Sequence, residues 1–232
     1  ILHNPTDNAV IPKQTKREMR VLSVEEQNRL LQFIHLHRLG FAILFDLATG
    51  LRIGELCALK WSDVNFNKQT IKISRTLQRI KKSIGEKVSE GGNTAILEGN
   101  VKTNSGFREI PVPDNVFSML MQHKAIQEQE KICYAGIYQD NGYIFAMPMG
   151  TCVEPHTMRD ALNYLLAAAG IEHANFHALR HTFATRAIEN GVNVKTLSDI
   201  LGHSQVQITM DLYCHTSLDL MRDSMNKLAE LF

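Results

Sequence analysis

The sequence predicts an α+β fold, mainly helical, with one small antiparallel sheet of about three strands. Three observations carry this. Apolar residues recur at helical spacing over most of the chain. From Gln69 to Val112 the character changes: Ile71 and Ile73 alternate with Lys72 and Ser74, a Gly-rich polar stretch from Ser89 to Thr94 intervenes, and Phe107, Ile110 and Val112 follow. A chain of 232 residues with 44% apolar content is long enough to bury one large core.

The elements follow in order. Residues 1–20 hold Pro5 and Pro12 among polar neighbours without a period, which reads as an interdomain linker cut from a longer protein. Ser23 with Glu26 three residues later is a capping-box pair, and Leu30, Leu31 and Ile34 continue it as a helix to about His37. Phe41 to Ala48 is apolar nearly all round and ends at Gly50, as a buried helix with a glycine stop does. After the sheet region, helical patterns run from Asp114 to about Tyr134, Pro155 to Ala169 and Asn175 to Asn190, with a short apolar run at Tyr143 to Ala146. Short helices close the sequence at about Val194 to Leu201, stopping at Gly202, and at about Gln205 to Tyr213. Beyond it, Leu218, Met221, Met225, Leu228 and Phe232 fall three and four apart, so residues 214–232 read as a tail helix with one apolar face.

Composition narrows the function classes. No run approaches the roughly 20 apolar residues of a membrane span, and the start carries no signal-peptide pattern, so a soluble, cytoplasmic protein is expected. Cys57, Cys133, Cys152 and Cys214 show no C-x-x-C spacing and read as reduced, structural thiols. A net charge of +1 neither supports nor excludes DNA as a partner. Local charge says more. Lys13, Lys16, Arg17 and Arg20 precede the first helix, and Lys72, Arg75, Arg79, Lys81, Lys82 and Lys87 crowd a second stretch, readable either as a solvated face or as phosphate contacts.

Breaking a phosphodiester without a metal needs a nucleophile, cations on the non-bridging oxygens and an acid for the leaving oxygen. Arg52 lies in Thr49-Gly50-Leu51-Arg52-Ile53-Gly54-Glu55-Leu56, where glycines admit close backbone approach and an arginine fork matches phosphate. His177 and Arg180, three apart, share a helix face. Each residue alone has a plainer reading: Arg52 as a salt-bridged arginine, His203 as a helix cap, Tyr213 as a packed aromatic. His177 and His181 also have zinc-ligand spacing, but no Glu lies between them in the H-E-x-x-H manner and no third ligand stands out, so no metal is expected.

Taken together and in order, Thr49 to Leu56, His177-Ala178-Leu179-Arg180-His181-Thr182-Phe183-Ala184, and Leu201-Gly202-His203-Ser204 with Tyr213 ten residues after His203, resemble the tyrosine recombinase, or phage integrase, family. The resemblance spans Val21 to Tyr213 and implies that family's catalytic fold for 21–213, with its N-terminal core-binding domain absent from this chain. It implies catalytic roles for Arg52, Lys102, His177, Arg180, His203 and Tyr213, with Glu55 orienting Arg52. Lys82 and Lys87 stand as alternatives to Lys102. It further implies transesterification without metal, ATP or other cofactor. Tyr213 attacks the phosphorus to give a 3′-phosphotyrosine, and Lys102 protonates the departing 5′ oxygen. The long polar insertion in the sheet and the sequence around Tyr213 are most similar to integrases of conjugative transposons of Gram-positive bacteria. The partners implied are double-stranded DNA, a homotetramer on two duplexes with exchange of C-terminal tails, and an accessory excision factor. Two rival readings are a type IB topoisomerase, which shares the chemistry, and a non-enzymatic helix-turn-helix DNA-binding protein built on the closing short helices.

Overall fold

The computed structural model describes residues 20–81, 94–101, 106–212, 222 and 226. The first helix, α1 (Val24–Phe33), opens on the predicted capping box: Glu26 N–H donates to Ser23 Oγ at 3.1 Å and Ser23 N–H to Glu26 Oε2 at 3.0 Å. It stops four residues before the predicted end. Ile34–Leu36 tighten into a 3₁₀ turn, and His37 is extended, with its Nδ1 accepting from Leu39 N–H at 3.0 Å. The central helix α2 (Gly40–Thr49) buries Ala42, Ile43, Phe45 and Leu47, and its stop is the αL residue Gly50 at φ 62°.

Two elements were not legible as periods. The helix α3 (Ile53–Ala58) has six residues, with a glycine at its second position. The strand β4 (Thr94–Asn100) has no buried face, so no alternation betrays it. The other strands are β1 (Val64–Asn65), β2 (Thr70–Ile73), β3 (Arg75–Lys81) and β5 (Arg108–Pro111). They form not one sheet but two, both antiparallel: a three-stranded sheet β1-β2-β5, and a separate ribbon β3-β4 in register from Arg75↔Asn100 to Lys81↔Thr94. The break comes at Ser74, which lies in neither strand. There the chain leaves the sheet, whose buried face carries Ile71, Ile73 and Ile110.

The remaining helices lie where the pattern puts them: α4 (Asp114–Cys133), α5 (Pro155–Ala168), α6 (His177–Glu189), α7 (Val194–Leu201) and α8 (Val206–Leu212). The Tyr143–Ala146 run makes only isolated bridges, Lys60 to Tyr143 and Ala146 to Cys152. α2 packs against α4, α5 and α6, and Phe45 and Phe145 meet at 5.6 Å in the core. A small cluster of Ala184, Leu197 and Leu201, with Phe183 against it, fastens α7 to α6. Among the described residues no helix is long and apolar enough to cross a membrane.

The two glycines around Arg52 do admit close approach, but of protein rather than of phosphate. A Cβ on Gly50 would lie 2.4 Å from Phe183 Cδ1, and a Cβ on Gly54 would lie 2.4 Å from Thr76 Oγ1 and 2.8 Å from Leu77 O. Gly54 therefore lets α3 sit directly on β3, which sets the height of Arg52. Gly54→Ala should cost about 1–3 kcal/mol through overpacking. Urea unfolding should show a lower midpoint at an unchanged slope.

Candidate functional site

Helix α7 ends at Gly202, which is left-handed at φ 65°. The last carbonyls of a helix have no partner within it and carry the negative end of its dipole. Here three consecutive ones each hold a guanidinium. Arg108 Nε donates to Ile200 O at 2.6 Å, Arg180 Nη2 to Leu201 O at 2.7 Å, and Arg52 Nη2 to Gly202 O at 3.0 Å. The three arginines arrive from β5, α6 and the start of α3, segments far apart in sequence. Arg180 Nη1 also donates to Gly50 O at 2.7 Å, so both glycine-terminated helices meet at it.

Glu55 ties the cluster from the other side. Its Oε1 accepts from Arg52 Nη1 at 2.8 Å and its Oε2 from Arg108 Nη2 at 2.8 Å, while Arg52 N–H donates to Oε2 at 3.0 Å. The Glu55 and Arg108 side chains are 3% and 6% exposed, whereas Arg52 is 41% exposed. Burial alone would raise the Glu55 pKa. The hydrogen bond and charge of Arg108, then those of Arg52, outweigh it and hold the carboxyl below its ordinary range. Asp46, on α2, is the opposite case. It is fully buried, and neither oxygen has a hydrogen-bond partner among the described residues. Burial pushes its pKa well above the carboxylate range, against the pull of Arg180. An ionised carboxylate without hydrogen-bond partners is costly in such a place, so burial disfavours the charged form of Asp46. Arg180 is pushed down by burial and then by Arg52, yet a guanidinium keeps its proton at neutral pH. Three guanidiniums thus meet around the Glu55 carboxylate, with Asp46 held back from ionising by burial, and the cluster is cationic.

Three histidines border this cluster. His177, the first residue of α6, is exposed at its surface, yet the protein around its ring withdraws enough water to lower its pKa, and Arg180 and Arg52 lower it further. His203 follows Gly202 directly and is pushed to about 4 by burial, then by Arg180, Arg52 and Arg108. Its Nδ1 lies 2.8 Å from the hydroxyl of Thr209, which is fully buried on α8. Both rings are therefore neutral at pH 7 and able to accept a proton or a hydrogen bond. His181, 6% exposed, packs edge to face on His177. Among the described residues, no group of three or more His, Cys, Asp or Glu side chains is placed to hold a metal ion. A cleft of about 420 Å³, lined by Leu51, Ile53, Asn163, Asn175 and His177 among others, opens beside the cluster.

Of the residues expected at the site, Arg52, Glu55, His177, Arg180 and His203 come together. Lys102 and Tyr213 lie outside the described residues, as does Lys82, while Lys81 is described only as the last residue of β3. The expected DNA contacts divide. Lys72 is exposed, 6.0 Å above the Phe107 ring. Arg75 pairs with Asp63 and Glu98, and Arg79 forms a fork to Glu154 at 2.6 and 2.8 Å, so these two are ion-paired rather than open solvated cations. Sequence reasoning missed Arg108, Asp46 and Thr209. Arg108 had a signal: in β5 it alternates with Glu109 and so shares the inward face of Ile110.

Comparison with known proteins bears on this geometry. Residues 20–218 match the model of the phage integrase family. The chain is 32% identical over 223 residues to the "tyrosine recombinase XerC-like" protein of Caldanaerobacter subterraneus subsp. tengcongensis, covering 95% of this chain and 56% of that one. It is 25% identical over 232 residues to the transposase from transposon Tn916 of Enterococcus faecalis, covering 96% and 53%. The chain thus spans little more than half the length of these curated relatives. Among solved structures, it is similar to a variant of the Tn1549 transposon integrase in complex with transposon right end DNA, with a TM-score of 0.73 at 26% identity, covering 99% of this chain and 73% of that one.

The Glu55 network makes a pH-dependent prediction. A carboxyl held below its ordinary pKa adds stability above the unfolded value of about 4.3, and that contribution is lost as pH falls through the lower folded value. Glu55→Gln leaves Arg108 buried without its counter-charge, so unfolding at pH 7 should be easier by about 3–5 kcal/mol. The gap to the parent should close as pH drops below about 4. Denaturant titrations at pH 7 and at pH 3 check both points.

Proposed function

Because the chain belongs to the phage integrase family, we propose that it is the catalytic part of a tyrosine-type site-specific recombinase that integrates and excises a mobile element. The observation that carries this is the convergence of the Arg52, Arg108 and Arg180 guanidiniums at the end of α7, beside His177 and His203. A phosphodiester brings one negative charge, and attack on phosphorus builds more on its non-bridging oxygens. A fixed cationic cradle stabilises the transition state more than the ground state.

On this reading Arg52 and Arg180 hold the non-bridging oxygens. Each Nη carries two hydrogens. The carbonyl bonds of Arg180, itself almost wholly buried, engage one on each, and the second on each is left to donate to the phosphate on this reading. Tyr213 attacks the phosphorus, a 3′-phosphotyrosine forms, and the 5′ oxygen departs with a proton from Lys102. His177 and His203, both neutral, hydrogen-bond the phosphate or take the tyrosine proton. The new ester conserves the energy of the DNA linkage, so attack by a different 5′-hydroxyl rejoins the strands without a cofactor.

Residues 21–213 form the catalytic domain in this account, 1–20 a linker and 214–232 a tail helix. The partners are double-stranded DNA and three further copies on two duplexes, with the tail exchanged in a cycle that closes into a ring. An accessory factor biases the reaction toward excision. The setting is the bacterial cytoplasm, on DNA. The likeness to a variant Tn1549 integrase in complex with transposon right end DNA supports a mobile-element end as substrate.

Incubation with a duplex nicked beside the joint of a mobile-element end tests the nucleophile. The parent should yield a protein–DNA adduct that survives denaturation and persists in excess EDTA. Tyr213→Phe should bind the same duplex within about 3-fold, a difference under 1 kcal/mol, and yield no adduct. Adduct formation by Tyr213→Phe, or loss on chelation with rescue by zinc, would overturn the assignment.

A further inference from the structure

Behind the site, α6 carries a histidine that no step above uses. His181 lies one turn after His177, is 6% exposed, and has a buried Nε2 with no hydrogen-bond partner among the described residues. A buried donor or acceptor left unsatisfied costs about 1–3 kcal/mol. Of the other buried positions of α6, Ala178, Leu179 and Ala184 are apolar, and the polar Arg180 and Thr182 both have hydrogen-bond partners, which His181 Nε2 lacks. A hydrocarbon would therefore fill this position at lower cost, and the imidazole needs another explanation.

The explanation lies in its contact with His177. The two ring centroids are 4.4 Å apart and the ring planes meet at 86°. A perpendicular pair sets the edge of one ring against the π face of the other, where a ring N–H is a weak donor. His177 itself is an exposed side chain at the first residue of α6, a place where rotamers exchange on fast timescales unless something restrains them. A group that must meet a phosphate held by Arg52 and Arg180 cannot be left to rotate, because a misplacement near 1 Å costs on the order of 100-fold in rate.

We propose that His181 is a positioning residue: its buried imidazole, edge to face with His177, fixes the rotamer in which His177 is presented to the phosphate. The proposal rests on the reading of His177 as a phosphate-facing group. His181 is suited to the task because burial, then His177 and Arg180, push its pKa down to about 4. At neutral pH it does not charge, so it neither repels a protonated His177 nor competes for the phosphate. Helix geometry supplies the rest, since residues four apart stack on one face.

Single-turnover adduct formation on the nicked duplex tests this with His181→Ala, His181→Phe, His177→Ala and the double alanine variant. His181→Ala should slow the reaction by about 100-fold. His181→Phe, which keeps a perpendicular ring but loses the nitrogen, should be slower than the parent by no more than about 10-fold. In the His177→Ala background, adding His181→Ala should change the rate less than about 2-fold, because the pair acts as a unit. The proposal is overturned if His181→Ala reacts at the parent rate while His177→Ala is slow. It is equally overturned if the alanine penalty persists undiminished without His177, or if a stably folded His181→Phe is as slow as His181→Ala. Should His177→Ala itself react like the parent, the functional reading of His177 fails instead. Imidazole NMR in inorganic phosphate then decides the positioning directly. Ring-to-ring contacts of His177 should be present in the parent and in His181→Phe, and a His177 ring equally ordered in His181→Ala would refute it.

Discussion

The site depends on one short stretch of backbone, the carbonyls of Ile200, Leu201 and Gly202 at the C-terminus of α7, each of which accepts from a different arginine. A helix end must find donors for its last carbonyls, and guanidiniums also complement the dipole there. The same bonds bring Arg52, Arg108 and Arg180 together from three elements and orient their forks. Three like charges do not assemble unaided. Glu55 from one side and the α7 carbonyls from the other make the arrangement tolerable while leaving it cationic. Gly202 completes the turn in a conformation that a side chain resists, and so delivers His203 to the edge of the cluster.

The cluster carries buried charge and an orphaned acid that a purely structural core would exclude. Arg108 and Glu55 are nearly inaccessible, Asp46 has no partner for either oxygen among the described residues, and His181 has an idle nitrogen. Buried ion pairs contribute little net stability, and unpaired polar groups subtract from it. The residues around Arg180 are therefore organised for charge rather than for stability. The apolar contacts that offset this lie elsewhere, in the Phe45–Phe145 core and in the Ala184–Leu197–Leu201 cluster that holds α7 in place.

What was legible in the sequence follows from the range of the interactions involved. Helices whose start and stop are local chemistry, such as Ser23 with Glu26, Gly50 and Gly202, were placed within a few residues. The charged residues inside the three motif blocks were found because the order of the blocks resembles a family. α3 was missed because six residues with a glycine carry no period, and β4 because neither of its faces is buried. The ion pair of Arg79 was not legible because its partner is remote: Glu154 lies 75 residues away. Asp46 was hidden inside an apolar helix, where one acid does not disturb the pattern. Arg108 could have been read from strand alternation, but its bond to Ile200 could not.

In the function proposed, the cluster divides its arginines between two tasks: Arg52 and Arg180 hold a phosphodiester, while Arg108 serves the buried carboxylate. Guanidinium NMR of the protein during titration with a short oligonucleotide containing a single phosphodiester measures this directly. The resonances of Arg52 and Arg180 should shift together and saturate at one concentration, with Arg108 unmoved. A shift of Arg108 equal to theirs, or none at Arg52 and Arg180 while the oligonucleotide binds elsewhere, would contradict it.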